Sequence, residues 1–211
     1  MKKQILFLSM LVLALVFTGC SDDDPIIEPV IPQEVITTVV VTLSATDGTE
    51  YVMRWEDSDY AVGDIVAGYS GDISIPEGAY TGDIQLYNNT LSPDDEEYTV
   101  TNEIIEEGSQ GSLAHQFFFT SLGDLVLDSV AYLDLDDPGL DAEGNEIAHP
   151  CGENKPIGQQ FSMVAVSGMG ELGVLLIHEP EKCEDGVSDG IWNQVGDDDV
   201  DLQFPLTINT N

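Results

Sequence analysis

The sequence predicts an all-β domain, specifically a two-sheet antiparallel β-sandwich of the immunoglobulin-like or jelly-roll-like kind. Three observations carry this expectation. Apolar and polar residues alternate with period two in short runs, the pattern of strands buried on one face. Gly, Asp, Asn and Pro punctuate the runs at close spacing, as turns between strands require. No stretch sustains a long helical period. With 42% apolar residues and 8% aromatics, the chain has enough to fill a core in spite of its charge.

Taken in order, Val35–Leu43 places Val35, Val39, Val41 and Leu43 on one face. Ala45-Thr46-Asp47-Gly48 then reads as a hairpin turn, because Asp-Gly tolerates the positive φ that such turns need. In the next run Tyr51, Met53 and Trp55 share a face. Further strands are expected at Asp64–Gly68, Tyr80–Tyr87, Ala114–Thr120, Asp124–Leu133, Gln160–Val166, Gly173–His178 and Val200–Ile208. Strands at this spacing fit a sandwich or jelly-roll. Only Ser92–Glu107 hints at a helical turn.

The N-terminal region carries an address rather than a fold. Lys2 and Lys3 form a short basic start, and Ile5–Phe17 is an apolar run. That run is too short for a bilayer core, which needs about 20 residues, and suits a secretory signal. Thr18-Gly19-Cys20 comes next. The arrangement resembles the lipobox of bacterial lipoproteins, with Phe17 bulkier than the usual aliphatic residue. The resemblance implies cleavage after residue 19 and lipidation of Cys20, with more acyl chains than the two signals that stable anchoring takes.

Ser21-Asp22-Asp23-Asp24 resembles the acidic tag that exports Bacteroidetes lipoproteins to the cell surface; the plainer alternative is a solvated acidic spacer. Pro25, Pro29 and Pro32 stiffen the chain beyond it, so residues 20–33 read as a tether. At ~3.1 Å per residue it reaches roughly 40 Å. The expected organisation is a signal peptide over 1–19, the tether over 20–33, and one β domain over 34–211. The expected location is the outer membrane, lipid-anchored and facing the exterior.

The 40 acidic residues all lie beyond Cys20, and the formal net charge is −35. Beyond Lys2 and Lys3 the basic side chains are Arg54, Lys155 and Lys182. A surface this negative excludes nucleic acid and bare anionic membrane as partners. It favours cations or cationic partners, and salt should stabilise the compact state.

The segments EVITTVVVTL (34–43), YTGDIQLYN (80–88), AHQFFFT (114–120) and LLIHEP (175–180), with CSDDDP near the start, resemble a family of short surface lipoproteins from marine flavobacteria. The resemblance covers most of the chain after Cys20, and each motif is short. It implies a surface location and a β-rich fold, and no reaction. Cys151 and Cys183 depart from that pattern.

With Cys20 assigned to the lipid, Cys151 and Cys183 remain as an even pair in an oxidising setting, which favours a disulfide. Closing a loop of about 32 residues would contribute roughly 3–4 kcal/mol. The alternative joins both cysteines to His149 and His178 in a Cys₂His₂ site for zinc or copper, although the spacing matches no compact zinc signature. The acidic loop 132–147 offers Asp134, Asp136, Asp137, Asp141, Glu143 and Asn145 as oxygen ligands for calcium. Pro138 falls on the third ligand position and the distal Glu is missing, so this is no EF-hand, and a solvated hairpin loop is the plainer reading. Asp94–Glu97 and Asp197–Asp199 read as solvated turns.

His115, on the face of Phe117 and Phe119, reads as a satisfied core histidine. His178 and Glu179 point to opposite faces of a strand, which argues against a general-base pair. No nucleophile elbow, phosphate loop or H-E-x-x-H occurs. The reading that results is a non-enzymatic surface module, binding or structural, with calcium as its candidate cofactor and a glycan or surface protein as its partner. The alternative is glycan or nutrient capture beside an outer-membrane uptake system, with Trp55 or Trp192 as a stacking platform. A hydrolase is the third class.

Overall fold

The computed structural model describes residues 34–57, 67–106, 108, 111–183 and 196–210. Cys20, the expected signal peptide, the expected tether through Gln33, Trp192 and residues 64–66 of the third expected strand lie outside the described residues. Gln33–Asn211 forms one compact unit.

The fold is all-β, as expected. β1 (Thr38–Ala45) and β2 (Glu50–Asp57) form the anticipated hairpin, with Val41 opposite Met53. Gly48 takes a φ of +85° at the turn, and the Asp47 carboxylate accepts the Thr49 N–H at 2.9 Å. Val39, Val41 and Leu43 are fully buried, and Tyr51 and Trp55 pack against the same core. β3 (Ala67–Gly71) extends the sheet beside β2. β5 (Gly78–Tyr87) flanks β1 on its other side, with Val39 opposite Leu86 and Val41 opposite Ile84.

The weak helical signal in 92–107 becomes a 3-10 turn at Glu96–Tyr98 and a six-residue helix, α1 (Val100–Ile105). Helix α1 buries Val100, Thr101 and Ile104. The Thr101 hydroxyl oxygen accepts the Leu86 N–H at 2.6 Å, which ties α1 to β5.

Three features differ from the sequence-based expectation. The segments Gln160–Val166 and Gly173–His178 belong to one strand, β8 (Gln160–His178). The intervening glycines read as a break in the sequence, but they sit where backbone passes close by. At Gly168 φ is +102°, and an added Cβ would lie 1.8 Å from the Asp124 carbonyl oxygen. A short strand, β4 (Ser74–Pro76), has no counterpart among the expected ones. It is too brief to show alternation, and it buries Ile75 completely.

The third difference concerns the sheet. Among the described residues hydrogen bonding links nine strands, seven of them in the order β3-β2-β1-β5-β8-β9-β4, where β9 is Asp197–Asn209. The strands β6 (His115–Gly123) and β7 (Val126–Tyr132) also pair with β8. The β4–β9 pair is parallel, so the sheet is mixed rather than wholly antiparallel.

β8 organises the whole. Its first part pairs with β5 and β7, and its second part with β6 and β9. One core cluster gathers side chains from both parts, including Val41, Leu86, Phe117, Phe161, Leu172 and Phe204. Tyr132 closes the core at β7, where its hydroxyl donates to the Phe117 carbonyl at 2.9 Å.

Burial, with the Asp134 charge adding and Gln116 opposing, pushes the Tyr132 hydroxyl up to about 12. An unfolded tyrosine ionises near 10, so between about pH 10 and 12 the native state keeps a proton that the unfolded chain releases. Stability should therefore fall by about 2–3 kcal/mol as pH rises through that window. Urea denaturation at stepped alkaline pH checks this, and Tyr132→Phe should remove that component of the loss.

Candidate metal centre

His115 and His178 meet because two alternating patterns run side by side. In β6, His115 lies on the face of Phe117 and Phe119; in β8, His178 lies on the face of Leu172, Val174 and Leu176. The antiparallel register sets the two histidines directly opposite each other. Their rings stack with centroids 4.7 Å apart and an interplanar angle of 15°. Both residues are buried.

Two carboxylates complete the group. Asp199 arrives through an irregularity in β9. The register slips between Leu176 and Ile177, so that Val200 faces Leu176 while Asp198 faces Ile177, and Asp199 is the extra residue. A bulge of this kind re-aims a side chain. Alternation from Val200, Leu202 and Phe204 would send Asp199 outward; instead its carboxylate is fully buried, 3.7 Å from His115 Nε2. Glu34, in the segment before β1, reaches in from another side, its Oε1 lying 3.4 Å from His115 Nε2.

One donor atom from each of Glu34, His115, His178 and Asp199 falls within 4.8 Å of the others, and among the described residues this is the one such group of three or more. His115 Nδ1 lies 2.9 Å from the Gly111 carbonyl oxygen. That bond places the proton on Nδ1 and turns the Nε2 lone pair toward the group. Gly111 can present its carbonyl there because it packs against backbone: an added Cβ would lie 2.1 Å from the Glu106 oxygen.

Three atoms of the group, Glu34 Oε2, His115 Nε2 and His178 Nε2, are buried without a hydrogen-bond partner. Burial pushes the Glu34 carboxyl up, but His115, its own backbone contact and His178 together hold it below the usual range. Glu103 on α1 is pushed upward by burial and then by the Glu34 charge. The arrangement is a compact set of two imidazole nitrogens and two carboxylates. Its elementary chemical capability is to hold a cation.

The residues singled out from sequence go elsewhere. Cys151 and Cys183 form a disulfide, with S–S 2.00 Å and Cα–Cα 4.9 Å. The Cys₂His₂ alternative is thereby corrected: both sulfurs are bonded, and the two histidines serve different groups. The Cys151 N–H donates to His149 Nδ1 at 3.0 Å, so the ring proton resides on Nε2, which faces Asp136 Oδ1 at 3.1 Å. Asp136 is fully buried and pairs through Oδ2 with Lys182 Nζ at 2.9 Å. Lys182 also donates to the Ser112 carbonyl at 2.6 Å. Burial draws the Lys182 ammonium downward, and Asp136 opposes that shift.

The calcium set does not assemble either. Asp134 accepts the N–H groups of Gly158 and Gln160, at 2.8 and 3.0 Å, and burial raises its carboxyl. Asp136 belongs to Lys182 and His149. Asp137 accepts the Gly139 N–H. Asp141 accepts from the Glu143 and Asn145 backbones and from the Asn145 side chain, in an exposed turn. Asp134, Asp137 and Asp141 thus accept separate backbone N–H groups while Asp136 pairs with Lys182 and His149, and among the described residues they form no donor group of the kind made by Glu34, His115, His178 and Asp199. Trp55 is half-buried and packs against the core, and Trp192, the other indole of the stacking-platform alternative, lies outside the described residues.

Sequence alone reads His115 as a satisfied core residue on an apolar face, offers His178 as a ligand beside His149 and the two cysteines, and makes Asp197–Asp199 a turn. The bulge at Asp199 and the approach of Glu34 have no signal in the sequence. No family model, curated protein or solved structure matches the chain.

The Asp136–Lys182 pair gives a direct prediction. Asp136→Ala takes away the buried ammonium's carboxylate, and stability should fall by about 3–5 kcal/mol. Urea denaturation under non-reducing conditions measures it. A loss below about 1 kcal/mol, the range of exposed pairs, would contradict the assignment.

Proposed function

We propose that this protein is a lipid-anchored, non-enzymatic binding module of the bacterial outer surface, and that the ligand it binds is a single divalent cation held by Glu34, His115, His178 and Asp199. The observation that carries the reading is the burial of Glu34 Oε2, His115 Nε2 and His178 Nε2 without hydrogen-bond partners, in a group whose donor atoms lie within 4.8 Å of one another. Polar atoms buried in that state cost free energy. A cation satisfies all of them together and offsets the two buried negative charges.

The anchoring part of the proposal rests on Lys2 and Lys3, the apolar run, Cys20 and the acidic tag. Outer-membrane attachment of a Bacteroidetes lipoprotein type agrees with the excess of carboxylates, which repel anionic membrane and attract cations. We take the fold to be sandwich-like. β8 hands the chain from one group of partners to the other at Gly168, and both groups cover one core. The burial of both histidines favours a binding role over a hydrolytic one.

The test is equilibrium dialysis of the full chain, extracted in detergent and stripped with EDTA, against a panel of divalent cations. One cation should bind per chain, and His178→Gln, checked for folding by circular dichroism, should abolish or greatly weaken that binding. A wild-type chain that retains no divalent cation contradicts the proposal.

A further inference from the structure

We infer that the bound ion is a late first-row metal of the zinc class, and that binding it clasps the segment preceding β1 to the start of β9. The inference rests on the cation-binding reading above and goes beyond it by naming the metal and the consequence.

The donor set selects the metal. Calcium takes six to eight oxygens, and magnesium an octahedron of oxygens with several waters. This group offers two imidazole nitrogens and two carboxylates, with the His115 and Asp199 side chains shielded from solvent and that of Glu34 nearly so. Imidazole favours zinc, copper, nickel and iron. Four protein donors without an open position match the closed, tetrahedral kind of zinc site that serves structure rather than catalysis.

The spacing agrees. Zinc bonds of about 2.0–2.1 Å in a tetrahedron set neighbouring donors roughly 3.3–3.5 Å apart. His115 Nε2 already lies 3.4 Å from Glu34 Oε1 and 3.7 Å from Asp199 Oδ2, and the full set spans no more than 4.8 Å. The donors are near enough to share one ion once the stacked His115 and His178 rings turn toward it. The Gly111 carbonyl, on the far side of the His115 ring, supplies the outer hydrogen bond that zinc-bound histidines characteristically make. Two carboxylates with two neutral imidazoles carry two negative charges, which one divalent ion balances.

The consequence comes from where the donors sit. His115, His178 and Asp199 stand on three hydrogen-bonded strands, β6, β8 and β9. Glu34 stands before β1, just after the proline-rich stretch beyond Cys20. From Thr37 onward the chain is secured by bonds such as Thr37 N–H to the Tyr87 carbonyl at 3.0 Å. The Glu34 side chain is the link that carries this attachment back toward the tether. A bound ion makes that link a coordinate bond, so the metal governs how firmly the first residues of the domain are held against its last strand.

Zinc chloride is the probe, added to the EDTA-stripped full chain in detergent, with calcium and magnesium chloride in large excess as competitors. Zinc should bind at one per chain and survive the competition. Amide exchange at residues 34–37 should slow by about tenfold or more on loading, because local opening then requires release of the ion. Glu34→Gln should lose most of that protection. Asp199→Asn, close in shape and so expected to fold, should bind zinc at least about tenfold more weakly, as loss of a ligand does. Displacement of zinc by calcium, or zinc binding that leaves exchange at 34–37 unchanged, would overturn the inference and leave the cation-binding reading standing. Failure to bind any divalent ion would sink that reading, and this inference with it.

Discussion

Strand β8 imposes the constraint on which the rest of the structure depends. From Gln160 to His178 it hydrogen-bonds to β5 and β7 in its first part and to β6 and β9 in its second. A backbone that long must change direction to serve both sets of partners, and it does so at glycines. Side chains approach the hand-over from both directions, and Phe161, Met163, Leu172, Val174 and Leu176 enter one core. The strand's C-terminal residue is His178. The continuity that builds the core therefore also delivers a ligand to its rim, opposite His115 and beside β9.

Placing charged side chains at that rim has consequences. Forty acidic residues are present, and nearly all can remain in water. Asp136 does not, and it is balanced by Lys182 and His149 beneath the disulfide. Asp134 does not, and it is balanced by two backbone N–H donors. Glu34 and Asp199 face two histidines. Glu34 and Asp199 share their enclosure with imidazole atoms that lack hydrogen-bond partners of their own. Those imidazole atoms are what make this group a candidate for a cation.

Much of the fold is legible in the sequence, for identifiable reasons. Alternation gives β1, β2 and β5 their faces because each has one side in the core. Asp47-Gly48 marks its turn because only a few residues tolerate positive φ. The cysteine pair comes from parity once Cys20 is set aside. Where periodicity ceases, legibility ceases too. The glycines between residues 168 and 173 read as a break because their reason is close approach of backbone across the sheet. β4, with three residues, is too short for alternation to register. Asp199 escapes because a bulge reverses the parity of its strand, and register slips leave no mark on one strand read alone. Glu34 joins the site only through tertiary folding. The acidic loop misleads in the opposite direction: its carboxylates are spaced like ligands and are used as caps.

The central claim is that Glu34, His115, His178 and Asp199 enclose one metal ion. X-ray absorption at the zinc edge on the zinc-loaded full chain tests it most directly, since the spectrum counts and types the donors. The account predicts a four-coordinate shell of two imidazole nitrogens and two oxygens at about 2.0–2.1 Å. Six oxygens at hydrated-ion distances, or a shell containing sulfur, would contradict it.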